Sequence, residues 1–394
     1  MADLLDMPRL SLKERNGRWA RIRAAMAERD IACIISAPHT GHWELYQADC
    51  RYMTHIGGNN SETSCVFPAD GDVMAVVLNR PEFWAIAQDW VQDIRTPQQH
   101  MWTLPMIDKM KDIGIGRHKV GVIGLNDGLR TKEGLFPAGM LTRFQDAFPD
   151  AEFVDVTTMM GNLRGVKTAE EILCMERACA MVETGIQRIL ATAKPGMPDY
   201  QVYAEYYYGI MSEGTEIPTM VLWGSGPGHA RDAFLPTHRP LQKGDVISNE
   251  LEAKYVGYNA QRVQPIYLGD PPEADLKAME KHRAVFNRAM ETMKPGVKFS
   301  EIVATIGDVS TELDCVANVT MHGRGLGEDR PLLVGGSMNE EVLSFTLQEG
   351  NVFIVKPAVT PNGGPTAHWG DTVKVTASGG QRLGKDAHEI MVIS

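Results

Sequence analysis

Hydrophobic positions recur at two different spacings along the first part of the chain. Residues 11–29 carry apolar side chains at helical spacing and predict an amphipathic helix. Short apolar runs bounded by turn residues predict strands at 31–36, 65–68, 75–78 and 120–125. Strands that alternate with helical stretches are typical of an α/β unit. We expect this unit to form a first domain of residues 1–162.

A strong helix begins just after this predicted boundary. Thr168 and Glu171 have the spacing of a capping box, in which each side chain binds the backbone N–H of the other residue. Apolar residues then follow on one helical face: Ile172, Met175, Cys179, Val182, Ile186 and Ile189. We therefore start the second domain at residue 163 and extend it to 394.

The second domain contains a faint internal repeat. The tripeptide Lys-Pro-Gly at 194–196 and again at 294–296 separates two predicted helices each time. Two such copies predict a duplicated half. Strand-rich stretches lie at 245–251, 262–268, 352–357 and 371–376. Strands flanked by paired helices predict an α+β architecture for this domain.

Composition excludes several classes of protein. The chain has 394 residues, of which 43% are hydrophobic and 23% charged, enough for two domains with their own cores. Its 39 Lys and Arg against 50 Asp and Glu give a net charge of -11, which argues against a nucleic-acid partner. The N-terminal segment lacks the apolar core of a signal peptide, and no long apolar run predicts a membrane segment. We expect a cytoplasmic protein with no membrane partner.

The six cysteines change little in this picture. They show no CxxC or CxxxH spacing, so neither a zinc knot nor a disulfide framework is predicted. We expect them to be reduced and mostly buried.

Four motifs in the second domain occur in the order seen in one known superfamily. They are 244–250 with its continuation 255–258, 321–325, 349–353 and 371–376. Together they resemble the pita-bread superfamily of creatinase, ectoine hydrolase and aminopeptidase P. The resemblance implies an α+β pita-bread catalytic domain behind an α/β creatinase-type N-terminal domain.

The resemblance also locates the superfamily's metal-binding positions. Peptidases of this superfamily hold two metal ions with two Asp, one His and two Glu, because divalent ions need several anionic oxygens. The matching positions here are Glu250, Gln261, His322, Lys356 and Gly370. Gln261 is neutral, Gly370 has no side chain and Lys356 brings an ammonium group. We therefore expect no metal and no other cofactor.

A weaker alternative keeps one ion. Glu250 and His322 would hold it, with Asp371 or Asp329 as the third ligand. Two secure ligands seldom suffice for a metal site, which makes this alternative the less favoured one.

The resemblance to the ectoine-hydrolase form of the first motif implies that Glu250 is a nucleophile or general base. A carboxylate beside an ammonium stays ionised, and a histidine can move a proton near neutral pH. Glu250, His322 and Lys356 are therefore predicted as an acid/base set. Glu252 shares the strand face with Glu250, so it is either a second catalytic carboxylate or part of a structural salt bridge.

Further residues are candidates for binding a small-molecule substrate. An arginine fork binds a carboxylate but also serves as a structural tether, and lone histidines more often line a pocket than act in catalysis. The candidates in the second domain are Gln261, Arg324, Arg262, His368, His229 and Tyr258. In the first domain, Trp43 and Glu62 belong to segments that the resemblance places over the pocket of a partner subunit, which implies a homodimer.

These observations predict a metal-independent hydrolase of a non-peptide carbon–nitrogen bond in a small amidine, amide or cyclic amidine. Three alternatives remain. The protein is a lyase acting on a small zwitterion, a non-catalytic pseudo-peptidase that binds other molecules, or an Xaa-Pro peptidase, the least favoured of the three.

Overall fold

The computed structural model describes residues 7–38, 47–58, 62–228, 235–334 and 338–394. By its internal contacts the chain divides into two units. One comprises Met1–Arg164 with Leu326–Asp329, and the other comprises Gly165–Gly325 with Arg330–Ser394. None of the helices in these described ranges is long and apolar enough to cross a membrane.

The N-terminal unit is built on a six-stranded mixed sheet. Its strands are β1 (Ile31–Ser36), β2 (Thr63–Pro68), β3 (Met74–Val77), β4 (Asp93–Arg95), β5 (Lys119–Val122) and β6 (Glu152–Asp155), in the order β4-β3-β2-β1-β5-β6. The helices are α1 (Leu12–Ala27), α2 (Ala48–Thr54), α3 (Pro81–Ala87), α4 (Thr103–Asp112), α5 (Ala138–Ala147) and α6 (Thr157–Gly165).

Alternating residues of the central strand face opposite sides of this sheet. Cys33 and Ile35 of β1 belong to a buried core that includes Met106 of α4 and Phe144 of α5. Strand periodicity places Ile34 on the other face, where it is also buried. A strand buried on both faces needs layers on both sides, which confirms the predicted α/β character of the unit.

The C-terminal unit contains two helix pairs and three sheets. Its helices are α7 (Ala169–Thr192), α8 (Asp199–Ser212), α9 (Glu273–Thr292), α10 (Phe299–Glu312) and α11 (Glu340–Leu343). Its first strands are β7 (Leu222–Pro227), β8 (Asp245–Tyr255), β9 (Tyr258–Arg262), β10 (Ile266–Leu268), β11 (Cys315–Asn318), β12 (Met321–Arg324) and β13 (Glu328–Leu333, whose first two residues group with the N-terminal unit). The last strands are β14 (Val352–Val355), β15 (Ala358–Pro361), β16 (Ala367–His368), β17 (Asp371–Thr376), β18 (Gly379–Arg382) and β19 (Met391–Ile393).

Each half of this unit has its own core between a helix pair and a sheet. In the first half, α7 and α8 cover the sheet β19-β10-β8-β7, and Leu251 of β8 lies in the shared core. In the second half, α9 and α10 cover the sheet β13-β12-β14-β17-β18, and Phe353 of β14 lies in the core. The duplicated α+β arrangement predicted from the repeat is confirmed.

The predicted capping box at the start of α7 is also confirmed. Thr168 Oγ1 accepts a hydrogen bond from the backbone N–H of Glu171 at 3.3 Å, and Glu171 Oε2 accepts one from Thr168 N–H at 2.9 Å. The hydroxyl of Tyr258 donates to Glu171 Oε1 at 2.9 Å. Tyr258 of β9, a predicted substrate contact, is therefore buried against the start of α7.

The strand-rich stretch predicted at 262–268 is divided between two strands. The chain leaves β9 at Arg262 and enters β10 only at Ile266. Between them, the backbone N–H of Val263 donates to the carbonyl of Gly370 at 3.0 Å, and the Val263 carbonyl accepts from Gly370 N–H at 3.1 Å. Val263 therefore pairs with the second half of the unit. Pro265 has no N–H with which to continue a ladder.

A buried histidine makes the stability of the C-terminal unit sensitive to acid. The ring nitrogens of His282 lie 3.0 Å from His388 Nε2 and 2.9 Å from the carbonyl oxygen of Pro357. Burial lowers the pKa of His282 to about 4 from its ordinary value of 6.5. Between these two values the unfolded chain binds more protons than the native one, so the free energy of unfolding falls as the pH falls.

We expect this group alone to cost about 2 kcal/mol of stability between pH 7 and pH 5. Chemical denaturation at both pH values, followed by tryptophan fluorescence, measures the loss. His282→Asn should reduce the pH dependence, whereas replacing the exposed His118 by Asn should leave it unchanged. An equal pH dependence in wild type and His282→Asn would contradict the assignment.

Candidate functional site

Two sheet faces of the C-terminal unit bring the candidate residues together. On β8, Leu251 and Ala253 face the helix-covered core, so Glu250 and Glu252 project from the opposite face. Gln261 of β9 lies beside them, because Glu252 and Gln261 are cross-strand partners.

The facing sheet contributes from the second half. His322 of β12 and Thr372 of β17 are both partners of Ile354 on β14, so these side chains share one face. Lys356 follows two residues after Ile354 and shares that face by strand periodicity. Thr372 Oγ1 joins the two sheets, since it accepts from Gln261 N–H and donates to the Gln261 carbonyl, both at 3.0 Å.

Lys356 contacts both Glu250 and Gln261. Its Nζ lies 2.5 Å from Glu250 Oε2 and 3.0 Å from Gln261 Oε1. The Lys356 side chain is 7% exposed and the Glu250 side chain 19% exposed. The pair therefore lies at the accessible end of an otherwise buried cluster.

Gln261 connects this pair to a second, fully buried one. Its Nε2 donates to Glu252 Oε1 at 3.0 Å, and Glu252 also forms an ion pair with Arg324. The backbone N–H of Met220 donates to Glu252 Oε2 at 3.1 Å. We call the series Arg324–Glu252–Gln261–Lys356–Glu250 the polar chain, since cationic and anionic groups alternate along it around one neutral amide.

Gly370 is held against the same cluster by its backbone. A Cβ at this position would lie well inside van der Waals contact of the Lys356 Cβ and 2.9 Å from the carbonyl oxygen of Val355. Both backbone groups of Gly370 are hydrogen-bonded to Val263. A carboxylate side chain therefore has no room at position 370 unless the backbone moves.

The residues at the five positions do not fit a divalent metal centre. Position 370 has no ligand atom, Gln261 is engaged on both sides, and Glu250 is bound by an ammonium. A divalent ion about 4 Å from that ammonium would be repelled by about 8 kcal/mol at an effective dielectric constant of about 20. No group of three or more His, Cys, Asp or Glu side chains suited to a metal occurs within the part of the chain that the structure describes.

The single-ion alternative also lacks its third ligand. Asp371 Oδ2 accepts from Arg382 Nε at 2.8 Å, and Asp371 Oδ1 accepts from the backbone N–H of Thr372 at 2.8 Å. Asp329 accepts from Arg164 Nε at 3.1 Å. Both carboxylates are committed to arginines.

Several predicted substrate contacts lie outside this cluster. Arg262 is buried and bonded to Gln264 Oε1 at 2.9 Å, with its guanidinium 5.2 Å from the ring centre of Trp369. His368 lies on β16, where its backbone pairs with Ala358. Arg324 belongs to the cluster but is engaged by Glu252.

The segments of the N-terminal unit that were predicted to lie over a partner's pocket belong only in part to the described residues. Trp43 lies outside the described residues, as does His229 of the C-terminal unit. Glu62 is half-buried, and its carbonyl accepts from Leu78 N–H at 3.2 Å. His55, at the start of the segment, is buried and stacks on Trp90 with ring centres 5.0 Å apart.

Sequence reasoning missed two contributors to the site. Thr372 was visible inside the 371–376 motif, and its hydroxyl turned out to join the two sheets. The backbone N–H of Met220 carried no signal in the sequence, because any non-proline residue supplies such a donor.

Comparison with known proteins decides the family. The model of metallopeptidase family M24 matches residues 173–377, which is more than half of the chain. The chain belongs to metallopeptidase family M24. The superfamily resemblance read from the four motifs is thereby confirmed.

Relatives in this family have peptidase names. An Xaa-Pro dipeptidase of Pyrococcus furiosus is 27% identical over 266 residues, covering 66% of this chain and 74% of its own. A probable dipeptidase PepE of Mycobacterium bovis is 26% identical over 381 residues, covering 95% of this chain and 96% of its own. The structure of an X-Pro aminopeptidase from Thermotoga maritima superimposes with a TM-score of 0.77 at 17% identity, covering 95% of this chain and 99% of that one. This last likeness confirms the predicted fold class.

The predicted function needs correction. A hydrolase restricted to non-peptide carbon–nitrogen bonds is wrong, because the two relatives described above are dipeptidases by name. Assignment to a metal-independent branch is wrong too, since the matching model is that of a metallopeptidase family. The alternative that was least favoured, an Xaa-Pro peptidase, agrees best with these names. The family name does not change the residues at the five positions of this chain, which do not fit a divalent metal centre.

The buried end of the polar chain predicts a large stability effect. Glu252→Gln leaves the guanidinium of Arg324 buried without its carboxylate, which typically costs about 3–5 kcal/mol. The double variant Glu252→Gln with Arg324→Met should recover part of this loss. Denaturant midpoints of the M24 protein and its variants measure both effects.

A matched control lies on the surface. Glu273 forms an exposed i,i+4 pair with Lys277, and Glu273→Gln should leave the midpoint unchanged within error. A Glu252→Gln midpoint as high as that of the control would show that the buried pair contributes no stability.

Proposed function

We propose that this M24 protein hydrolyses short peptides and that the Glu250–Lys356 end of the polar chain contacts the scissile amide. The peptidase names of the relatives support the substrate class. The geometry of the Glu250–Lys356 pair supports this end of the polar chain as the place where the amide binds.

One observation carries the proposal. Lys356 has three N–H donors, and among the described residues the structure gives it two acceptors, Glu250 Oε2 and Gln261 Oε1. No described residue is bonded to Oε1 of Glu250. One donor and one acceptor therefore remain side by side, at the end of the cluster that is accessible to solvent. A peptide unit presents the complementary pair, a carbonyl oxygen and an N–H.

Each residue then has a defined role in hydrolysis. The Lys356 ammonium donates to the carbonyl oxygen and stabilises the negative charge that develops there. The Glu250 carboxylate takes a proton from the attacking water, which adds to the carbonyl carbon. His322, on the same sheet face as Lys356, gives a proton to the departing amine nitrogen as the carbon–nitrogen bond breaks.

The test is a panel of dipeptides with and without proline in the second position, with the free amino acids measured by mass spectrometry. Glu250→Gln keeps the shape of the side chain but removes its basicity, so we expect turnover to fall by about a hundredfold or more. Glu213→Gln, at an exposed pair with Arg177, is the matched control and should retain wild-type turnover.

Two outcomes count against this function. Wild-type protein that binds a dipeptide in calorimetry without releasing amino acids would be a peptide-binding protein and not a peptidase. Normal turnover in both Glu250→Gln and His322→Ala would place the chemistry elsewhere.

We also propose that the protein forms a homodimer in which the segment containing Glu62 approaches the site of the other subunit. The superfamily resemblance of the sequence supports this assembly. Light scattering at micromolar concentration should give about twice the mass of one chain, 43.5 kDa. A monomer under these conditions would contradict it.

A further inference from the structure

The candidate site supplies its own positive charge. The polar chain contains two cations, Arg324 and Lys356, and two carboxylates, Glu250 and Glu252. Its charges therefore cancel without any bound ion. We infer that the Lys356 ammonium is the permanent cation of this site and that the five family positions take no divalent metal.

The ammonium occupies one oxygen of each side chain that could offer an oxygen to a metal ion. Glu250 Oε2 and Gln261 Oε1 both accept from Lys356 Nζ, and these are the two oxygen-bearing side chains among the five positions. An ion and the ammonium thus compete for the same atoms. Lys356 directly follows β14 in the chain, so its ammonium is always close to these oxygens, whereas a metal ion must enter from solution.

The orientation of Gln261 makes the arrangement self-consistent. Its Nε2 faces the Glu252 carboxylate and its Oε1 faces the ammonium. The reverse orientation would direct the amide N–H groups at Lys356 and the amide oxygen at Glu252. The Gln261 amide N–H and Arg324 both bind Glu252, so these contacts hold Gln261 in the orientation that faces the ammonium.

The backbone around Gly370 prevents a carboxylate ligand from being restored at position 370. A Cβ at position 370 would lie 2.9 Å from both Lys356 Cα and the Val355 carbonyl oxygen, which are backbone atoms. The obstruction therefore remains whichever side chain stands at 356. A carboxylate ligand is excluded at this position by the backbone itself.

This inference does not depend on the proposed peptidase function, and its test needs no substrate. Protein purified from metal-supplemented medium and exchanged into Mn²⁺, Co²⁺ or Zn²⁺ buffer should retain far less than one ion per chain after gel filtration. Co²⁺ should give no visible absorption band of a bound ion. One retained ion per chain that is lost in Glu250→Gln would overturn the inference.

A second experiment tests the cation directly by chemical rescue. Lys356→Ala removes the ammonium and its stem and leaves Glu250 facing the vacated space. Added n-propylammonium should raise the thermal midpoint of this variant saturably and leave the wild type unchanged. The neutral analogue 1-propanol should not, and Lys374→Ala, the same loss of charge on β17, should show no rescue. Equal effects of the amine on both variants would overturn the role of Lys356.

A charge-matched series covers the case in which Lys356→Ala does not fold. Lys356→Met keeps the stem and removes the charge, so the Glu250 carboxylate loses its partner. The double variant Lys356→Met with Glu250→Gln should unfold at a higher temperature than Lys356→Met alone. A double variant no more stable than the single one would show that Lys356 does not balance Glu250.

Discussion

The alternation of charge along the polar chain is the constraint on which the centre of the C-terminal unit depends. Buried ions are tolerated only when each finds a partner of opposite sign and its hydrogen bonds are satisfied. Here Glu252 pairs with Arg324 and accepts hydrogen bonds from the Gln261 amide and a backbone N–H. Lys356 donates to Glu250 and to the Gln261 oxygen. Removing either member of an ion pair leaves a charge without its partner.

The same constraint links the two halves of the unit. Glu250, Glu252 and Gln261 come from the first sheet, whereas Arg324 and Lys356 come from the second, so both ion pairs cross the space between the sheets. Backbone pairing at the bridge between residues 263 and 370 and the Thr372 hydroxyl add neutral links. Each half also buries its own apolar core against its helices. Hydrophobic burial thus stabilises each half, while polar contacts set how the two sheets face each other.

Family and site give different information about this protein. The chain belongs to M24, and the relatives described above are dipeptidases by name. The five positions that the superfamily resemblance assigns to metal ligands hold an ion pair, an amide, a histidine and a glycine. Function resides in the site and not in the fold, so the two must be reconciled through the residues present. An ammonium beside a carboxylate offers one donor and one acceptor, and for this reason we propose an amide as its ligand.

Local sequence determined much of the fold. The 31–36 and 371–376 strands and the capped start of α7 were predicted with their observed positions, because periodicity and capping act between residues close in the chain. The ordered motifs also gave the five positions at which the resemblance implies metal ligands, and that assignment stays a prediction. Tertiary structure alone decided that Arg324 pairs with Glu252, that the Arg262 guanidinium packs over the Trp369 ring, and that Gly370 has no room for a side chain. These outcomes depend on which side chains meet across two sheets from distant parts of the chain, and no local pattern specifies that.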